Sequence, residues 1–256
     1  MGMMEILPRE CICKIISFTT PKDACRSSAV SSAFKECVDS DETWEAFLPS
    51  DCRDLISRSS SPNLISLPTK QLYLHLADHP LLLADKTMSF SLAKESGKKC
   101  YMIGAKGLCV IWGDTPRYWN WICIPQSRFS HVAELNHVWW FEVKGSLNIK
   151  LLSPKTQYDV FFIFMFGNES YGFTEALVNF SITKGGEGRS LGVVLDPPGI
   201  EVMQREDGWM EVKAGEFFTE EEEGEGLVEF RAWQTEAYIK AGIFIEGIEF
   251  RPTKIE

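Results

Sequence analysis

The sequence of 256 residues lacks the features of exported, membrane-spanning or nucleic-acid-binding proteins. Its longest apolar run, residues 160–166 (VFFIFMF), is far shorter than the roughly 18 residues that a membrane span needs. The opening residues MGMMEILPRE contain neither the basic flank nor the apolar core of a signal peptide. Basic side chains number 26 against 36 acidic ones, and the net charge of -10 comes with no basic stripe that could neutralise phosphates. We therefore expect no membrane span, no export and no nucleic-acid partner.

Cysteine patterns that would indicate disulfides or zinc are also missing. The 8 cysteines form no CxxC pair and no regular framework, and no histidine stands at zinc-finger spacing from them. Most lie in apolar stretches, where a reduced thiol behaves as a small hydrophobic side chain. This usage predicts a reducing compartment, the cytoplasm and/or the nucleus, with no metal and no cofactor.

No set of residues indicates catalysis. The 4 histidines are scattered, and none lies near a serine or cysteine in a nucleophile elbow. Residues 185–190 (GGEGRS) lack the lysine of a phosphate-binding loop and predict a flexible hairpin. Glu211 and Glu216 would serve a glycosidase only at a separation that the sequence does not show, and residues 219–227 (TEEEEGEGL) predict a solvated acidic loop. A non-catalytic protein is favoured, with a glycoside hydrolase as a distant alternative.

The chain changes character part-way along. Helical patterns with polar punctuation fill the first part, whereas from about Ser89 short β-branched and aromatic runs alternate with turn residues. The connection is predicted at residues 57–63 (SRSSSPN), whose serines and proline favour an exposed segment. The predicted fold class is an α+β multidomain protein, with a small helical domain over residues 1–50, a linker with helices over 51–85, and an antiparallel β-sandwich or jelly roll over 86–256.

Helix starts can be assigned in the first part. Pro8 suits the first turn of a helix, because its missing N–H costs nothing there. Thr20 is the predicted N-cap of a second helix with Pro21 at its first position. Asp39, with Glu42 three residues later, is the predicted cap of a third helix.

Alternation in the second part predicts strands. Residues 175–183 (EALVNFSIT) place apolar side chains on one face and polar ones on the other, as a sheet with one wet side requires. Residues 158–166 and 241–250 are apolar on both faces, which is typical of central strands between two layers.

The segment 111–121 (IWGDTPRYWNW) holds three of the 8 tryptophans. Residues 113–116 are typical of a turn, so Trp112 is predicted to end one strand. In the next segment, Trp119 and Trp121 are predicted to point to the same side. Indoles at the rim of the turn, beside carboxylates and amides, would form a platform for a sugar ring. The residues alone are equally consistent with all three indoles lying in the core.

Residues 5–49 resemble an F-box in the order and spacing of Leu7-Pro8, Pro21-x-Asp23, Phe34 and the closing Trp44. An F-box implies docking onto a Skp-type adaptor of a cullin-RING ubiquitin ligase, while the rest of the chain selects the substrate. A private three-helix core is the alternative role for the same apolar positions. The resemblance implies the adaptor-binding residues Leu7, Pro8, Ile12, Ile15, Ile16, Pro21, Val30 and Trp44.

Residues 86–253 are similar to the plant phloem-lectin (Nictaba-like) family, which includes the tobacco jasmonate-induced lectin. The similarity lies in the blocks CYMIGAKGLCVIWGDTPRYWNW, DGWMEVKAGEFF and AGIFIEGIEFRP, in the family order. The resemblance implies a jelly roll that binds N-acetylglucosamine oligomers and N-glycan cores through two tryptophans and acidic residues near GEFF. The matching positions are Trp112, Trp119, Glu216 and Glu223, with Glu222 or Glu225 as alternatives for the last.

The two resemblances together imply a plant F-box protein with a C-terminal phloem-lectin domain. Such a protein would be the substrate-recognition subunit of an SCF-type (Skp-cullin-F-box) E3 ubiquitin ligase, recognising glycans or glycoproteins that contain N-acetylglucosamine. The alternative is a lectin-fold protein-interaction receptor that has lost sugar binding.

Overall fold

The computed structural model describes residues 7–83, 85–174, 176–196, 199, 201–221 and 224–254. The chain forms two compact units, one of residues 1–84 with 90–99 and the other of residues 85–89 with 100–256. Residues 57–63, predicted as the connection, lie inside the first unit, so that expectation is wrong. The reason is backbone pairing, because the Ser60 N–H donates to the Leu82 carbonyl at 3.0 Å and Ser59 bridges Leu83.

The first unit is mainly helical. Its core contains Trp44, whose indole N–H donates to the Val38 carbonyl at 2.6 Å, surrounded by apolar side chains from neighbouring helices. No helix in the described ranges is long and apolar enough to cross a membrane. The helices are α1 (Arg9–Ser17), α2 (Pro21–Ser27), α3 (Ser32–Val38), α4 (Asp41–Glu45), α5 (Cys52–Ser57) and α6 (Thr69–Asp78), with a 3-10 helix at Pro62–Ser66 and the strands β1 (Leu81–Leu82) and β2 (Met88–Leu92) after them.

The predicted helix starts are partly confirmed. The Thr20 hydroxyl accepts the backbone N–H of Asp23 at 3.1 Å, and Pro21 occupies the first turn of α2, as expected. Pro8 is the N-cap of α1, one position before its first turn. The prediction for Asp39 is wrong, because this residue ends α3 and its carboxylate pairs with Lys70 at 2.6 Å instead of capping α4.

The second part of the chain forms two antiparallel sheets. Their strands are β3 (Lys99–Gly104), β4 (Cys109–Val110), β5 (Trp119–Ile122), β6 (Val132–Leu135), β7 (Phe141–Asn148), β8 (Thr156–Tyr171), β9 (Val178–Lys184), β10 (Glu187–Val193), β11 (Val202–Gln204), β12 (Met210–Thr219), β13 (Leu227–Gln234) and β14 (Ala241–Pro252). From β3 onward, the first sheet has the order β3-β14-β8-β12-β11, with β6 pairing β14 and β5 pairing β6. The second has the order β10-β9-β13-β7-β4.

The two sheets pack face to face. Phe162 of β8 contacts Phe180 of β9 and Phe230 of β13, with ring centroids 5.6 and 6.0 Å apart. The predicted β-sandwich is therefore confirmed, and the predicted central strand over residues 158–166 lies within β8, between β14 and β12.

Local sequence patterns also predict the second sheet well. Apolar side chains of β9 are buried and its polar ones face outward, as the alternation indicates. The predicted hairpin is the β9–β10 turn, where Gly185 and Gly186 adopt positive φ values of 62° and 84° that favour glycine.

Candidate functional site

The helical unit exposes several apolar side chains. Phe18 is 77 % exposed and Val30 69 % exposed, and Leu7 and Ile15 are also exposed. Pro8 is exposed beside them. We call Leu7, Ile15, Phe18 and Val30 the apolar stripe. Phe18 is absent from the set predicted from the sequence, although it stands three residues after Ile15 and extends the exposed side of α1.

The other residues predicted to contact an adaptor are buried in this structure. They are core side chains that pack inside the helical unit, so we assign them to its core and not to a docking surface. These residues are Ile12, Ile16, Pro21 and Trp44.

The two tryptophans that the phloem-lectin resemblance assigns to sugar binding lie in different environments. Trp119 is 2 % exposed, and its indole N–H donates to the Ile111 carbonyl at 3.1 Å. Its ring lies 6.3 Å from that of Phe141. The expectation that Trp119 stands at a rim is wrong, because this face of β5 turns toward the core.

Trp112 is the indole that the turn presents to solvent, and it is 48 % exposed. Its φ of 58° lies in the left-handed region, where a bulky residue is rare and where strain accompanies functional sites. The Tyr118 ring lies 5.6 Å from the Trp112 ring, and His137 contacts Tyr118 at 5.9 Å. The Asn136 amide donates to the Pro116 carbonyl at 3.1 Å, which ties the turn to the following strand pair. The result is an aromatic surface beside amide groups.

Glu216 lies elsewhere on the sandwich. Its carboxylate is exposed on β12, where Lys213 pairs with it at 2.6 Å and with Asp159 at 2.8 Å. It lines a cleft of about 780 Å³ together with side chains of β9 and β10. Trp112 follows β4 and is not among the residues that line this cleft. Trp112 and Glu216 therefore do not share this cleft.

The remaining acidic candidates differ among themselves. Glu223 and Glu222 lie outside the described residues, while Glu225 is exposed and pairs with Lys150 at 3.5 Å. Glu211 is buried and holds Arg251 at 2.8 Å and Arg205 at 3.4 Å, so its oxygens already have partners. The described residues contain no group of three or more histidine, cysteine or acidic side chains that could hold a metal.

Comparison with known proteins gives the family. The model of the family described as Phloem protein 2 matches residues 98–252, and that of the F-box domain matches residues 4–46. The chain belongs to the Phloem protein 2 family and carries an F-box domain. The F-box covers α1 to α4, and the Phloem protein 2 domain covers most of the β-sandwich.

Relatives align along nearly the whole chain. It is 40 % identical to the F-box protein PP2-B10 of Arabidopsis thaliana, over 98 % of this chain and 94 % of that protein. The putative F-box protein PP2-B12 of the same plant is 42 % identical over 97 % and 98 %, and the F-box protein SKIP3 is 37 % identical over 98 % and 89 %. A β-(1,4)-mannanase of Podospora anserina overlaps 61 % of this chain and 28 % of its own at 8 % identity with a TM-score of 0.34, which supports no argument.

The Phloem protein 2 domain contains one further cluster that the sequence analysis missed. The Glu142 carboxylate accepts hydrogen bonds from the Trp140 indole at 2.7 Å and the Arg231 guanidinium at 2.7 Å, and it pairs with Lys144 at 3.0 Å. The alternation of FEVKGSLN in β7 and LVEFRAWQ in β13 places these polar side chains on the outward face. The pairing of the two strands is not visible in the sequence.

Proposed function

We propose that the chain is the non-catalytic substrate-recognition subunit of an SCF-type ubiquitin ligase in the cytoplasm and/or the nucleus. The F-box binds a Skp-type adaptor, and the Phloem protein 2 domain binds the substrate. The apolar stripe carries the first half of this proposal, because exposed side chains such as Phe18 and Val30 gain free energy when a partner removes them from water. Large apolar side chains left exposed in a group are typical of protein-binding surfaces.

Co-purification of the full chain with a Skp-type adaptor tests this docking. Replacing Ile15, Phe18 and Val30 together with serine should abolish the complex while leaving the thermal melt nearly unchanged, since the three side chains are exposed. The matched control replaces exposed apolar residues of the other domain, namely Met203, Phe218 and Leu227, with serine and should retain the adaptor. Adaptor binding by the stripe variant would contradict the proposal.

For the Phloem protein 2 domain, we propose binding of glycans or glycoproteins that contain N-acetylglucosamine, at the Trp112 turn. An exposed indole offers a large flat apolar surface at little entropic cost, which suits the C–H face of a pyranose. Tyr118 extends this aromatic surface, and Asn136 lies next to it with amide groups. Glu216 lies on β12 and lines a cleft that does not include Trp112, so we do not include it in this sugar site.

The same separation supports a second candidate, a lectin-fold protein-interaction receptor that has lost sugar binding. Trp119 is buried and Glu216 lines a separate cleft, so Trp112 lacks two of the groups that the family resemblance implies. In this alternative, the exposed indole serves as an anchor for a protein surface.

Calorimetric titration with the N-acetylglucosamine trimer distinguishes the two candidates. The Trp112→Ala variant should bind about ten- to a hundred-fold more weakly, by analogy with nucleic-acid bases, whose stacking on an aromatic side chain is worth about 1 to 3 kcal/mol. Glu216→Gln should bind as well as the wild type. Absence of any heat from the wild type at millimolar trimer would reject the sugar site and favour the protein-interaction receptor.

A further inference from the structure

The five-stranded sheet exposes an array of six polar side chains that neither proposed site uses. We call this array the polar face. Strand register sets Arg231 of β13 between Ser181 of β9 and Lys144 of β7, and sets Glu229 in the next row of the same face. The six residues line a groove of about 500 Å³, which is within the usual range of small-ligand sites. They are Lys144, Ser146, Ser181, Thr183, Glu229 and Arg231.

The two cations of the polar face are held in position by a carboxylate in the neighbouring row of the same face. Glu142, whose side chain is 5 % exposed, accepts the Arg231 Nε–H at 2.7 Å and pairs with Lys144 at 3.0 Å. The Arg231 guanidinium also lies over the Trp233 ring, 4.4 Å from its centroid. Burial would raise the pKa of Glu142, but hydrogen bonds from Trp140, Lys144 and Arg231 outweigh it and hold the pKa below its usual value. The carboxylate is therefore charged at neutral pH and orients both cations.

The outward groups of the polar face remain available for a ligand. Within the described part of the chain, the two terminal nitrogens of Arg231 and the hydroxyls of Ser181 and Thr183 have no hydrogen-bond partner. Glu229 forms no ion pair with any described residue. A guanidinium with two free terminal nitrogens is suited to a planar carboxylate, which it can bind through parallel hydrogen bonds.

The placement on a sheet face selects the kind of ligand. An extended peptide pairs with an exposed strand edge through its backbone, whereas the backbone groups of β7, β9 and β13 are already used by neighbouring strands. Only side chains are available here, and they combine two cations with three hydroxyls and the carboxylate of Glu229. A net charge of -10 provides no general attraction for anions, so an anionic ligand would depend on this local arrangement.

We propose that the polar face binds a carboxylate-bearing oligosaccharide. Its carboxylate lies on Arg231 and Lys144, and its ring hydroxyls bond to Ser146, Ser181 and Thr183. This site is separate from the Trp112 turn and does not depend on binding of N-acetylglucosamine.

Titration of the full chain with tetragalacturonate tests the proposal, with the fully methyl-esterified tetramer as the neutral control. The acid should bind at least about ten-fold more tightly than the ester, because hydrogen bonds to charged groups are stronger than neutral ones. Added salt should weaken binding of the acid, since this side of the sheet is exposed. Equal affinity for acid and ester, or no binding of the acid at millimolar concentration, would overturn the proposal.

Variants locate the binding on the polar face. Ser181→Glu puts a carboxylate opposite Arg231, at a Cβ spacing of about 5 Å, and should abolish binding of the acid without disturbing Glu142. Lys144→Gln should weaken it by about ten-fold. The control Lys155→Gln, an exposed lysine paired with Glu221, should bind like the wild type, and so should Trp112→Ala. Undiminished affinity of a folded Ser181→Glu variant for the acid would overturn the proposal. So would displacement of the acid by sulfate, if the protein also binds acid and ester with equal affinity.

Discussion

The F-box unit and the Phloem protein 2 domain expose different kinds of surface. The F-box presents apolar side chains such as Phe18 and Val30, whose burial is favourable but non-directional. The Phloem protein 2 domain presents charged and hydroxyl groups in fixed register, with Arg231 held by Glu142. The first surface suits a protein partner that covers area, and the second suits a hydrophilic ligand recognised by directed hydrogen bonds. One chain can in this way separate recruitment from recognition.

The interiors of the two regions differ as well. The F-box core is apolar and its buried indole, Trp44, needs only one carbonyl partner. The Phloem protein 2 domain buries a carboxylate, Glu249, between Arg128 at 3.0 Å and Arg205 at 3.0 Å. Burial would raise the pKa of Glu249, but the neighbouring guanidinium groups hold it below the usual range. The second interior therefore contains a buried ion-pair network, whereas the F-box core around Trp44 consists mainly of apolar side chains.

The largest effect is expected from truncating the core indoles in either region. Trp44→Ala and Trp119→Ala should each lower the free energy of unfolding by about 3 to 5 kcal/mol, because a large cavity replaces a buried ring. Trp112→Ala is the matched control, and its cost should stay within about 0.5 kcal/mol since the ring is exposed. Denaturant unfolding measures the free energy of unfolding of all three variants. Similar losses of unfolding free energy for Trp112→Ala and Trp119→Ala would contradict the assignment of Trp112 to the surface and of Trp119 to the core.

A smaller loss is expected when charge is removed from the second interior. Glu249→Gln leaves Arg128 and Arg205 without their shared counter-charge, and should cost about 3 kcal/mol. The matched change in the first unit is Glu95→Gln, which breaks an exposed pair with Lys22 at 2.7 Å and should cost at most about 1 kcal/mol. Thermal melts at neutral pH compare the two. Equal costs would show that the buried network stabilises no more than a surface pair.

Features set by nearby residues could be predicted from the sequence. The Thr20 cap depends only on a backbone N–H three residues away, and the alternation of β9 depends only on the period of its side chains. Both predictions are confirmed. Alternation does not say which face of β5 turns inward; Phe141, twenty-two residues further on, decides that for Trp119. The Arg231–Glu142 pair joins residues 89 positions apart and exists only because β13 pairs β7. Likewise, no local pattern shows that Glu216 of β12 lines a cleft with residues of β9 and β10.

The smallest effect concerns acid and the Glu142 carboxylate, which pairs with the two cations of the polar face. The folded-state pKa of Glu142 is below its unfolded value, so the ionised group contributes stability above the unfolded pKa, about 4.3, that is lost as the pH falls through the folded value. At neutral pH, Glu142→Gln should therefore melt below the wild type, because Arg231 and Lys144 lose their counter-charge.

The two melting temperatures should converge as the pH is lowered from about 6 to about 3, where protonated Glu142 and glutamine carry the same charge. Glu229→Gln, an exposed change on the same face, serves as the control, and its difference from the wild type should vary much less with pH. Melting curves recorded across this range at constant ionic strength measure both differences. A gap between wild type and Glu142→Gln that is independent of pH would mean that the variant acts by altered packing. In that case the charge of Glu142 would not be what holds Arg231 and Lys144 in place.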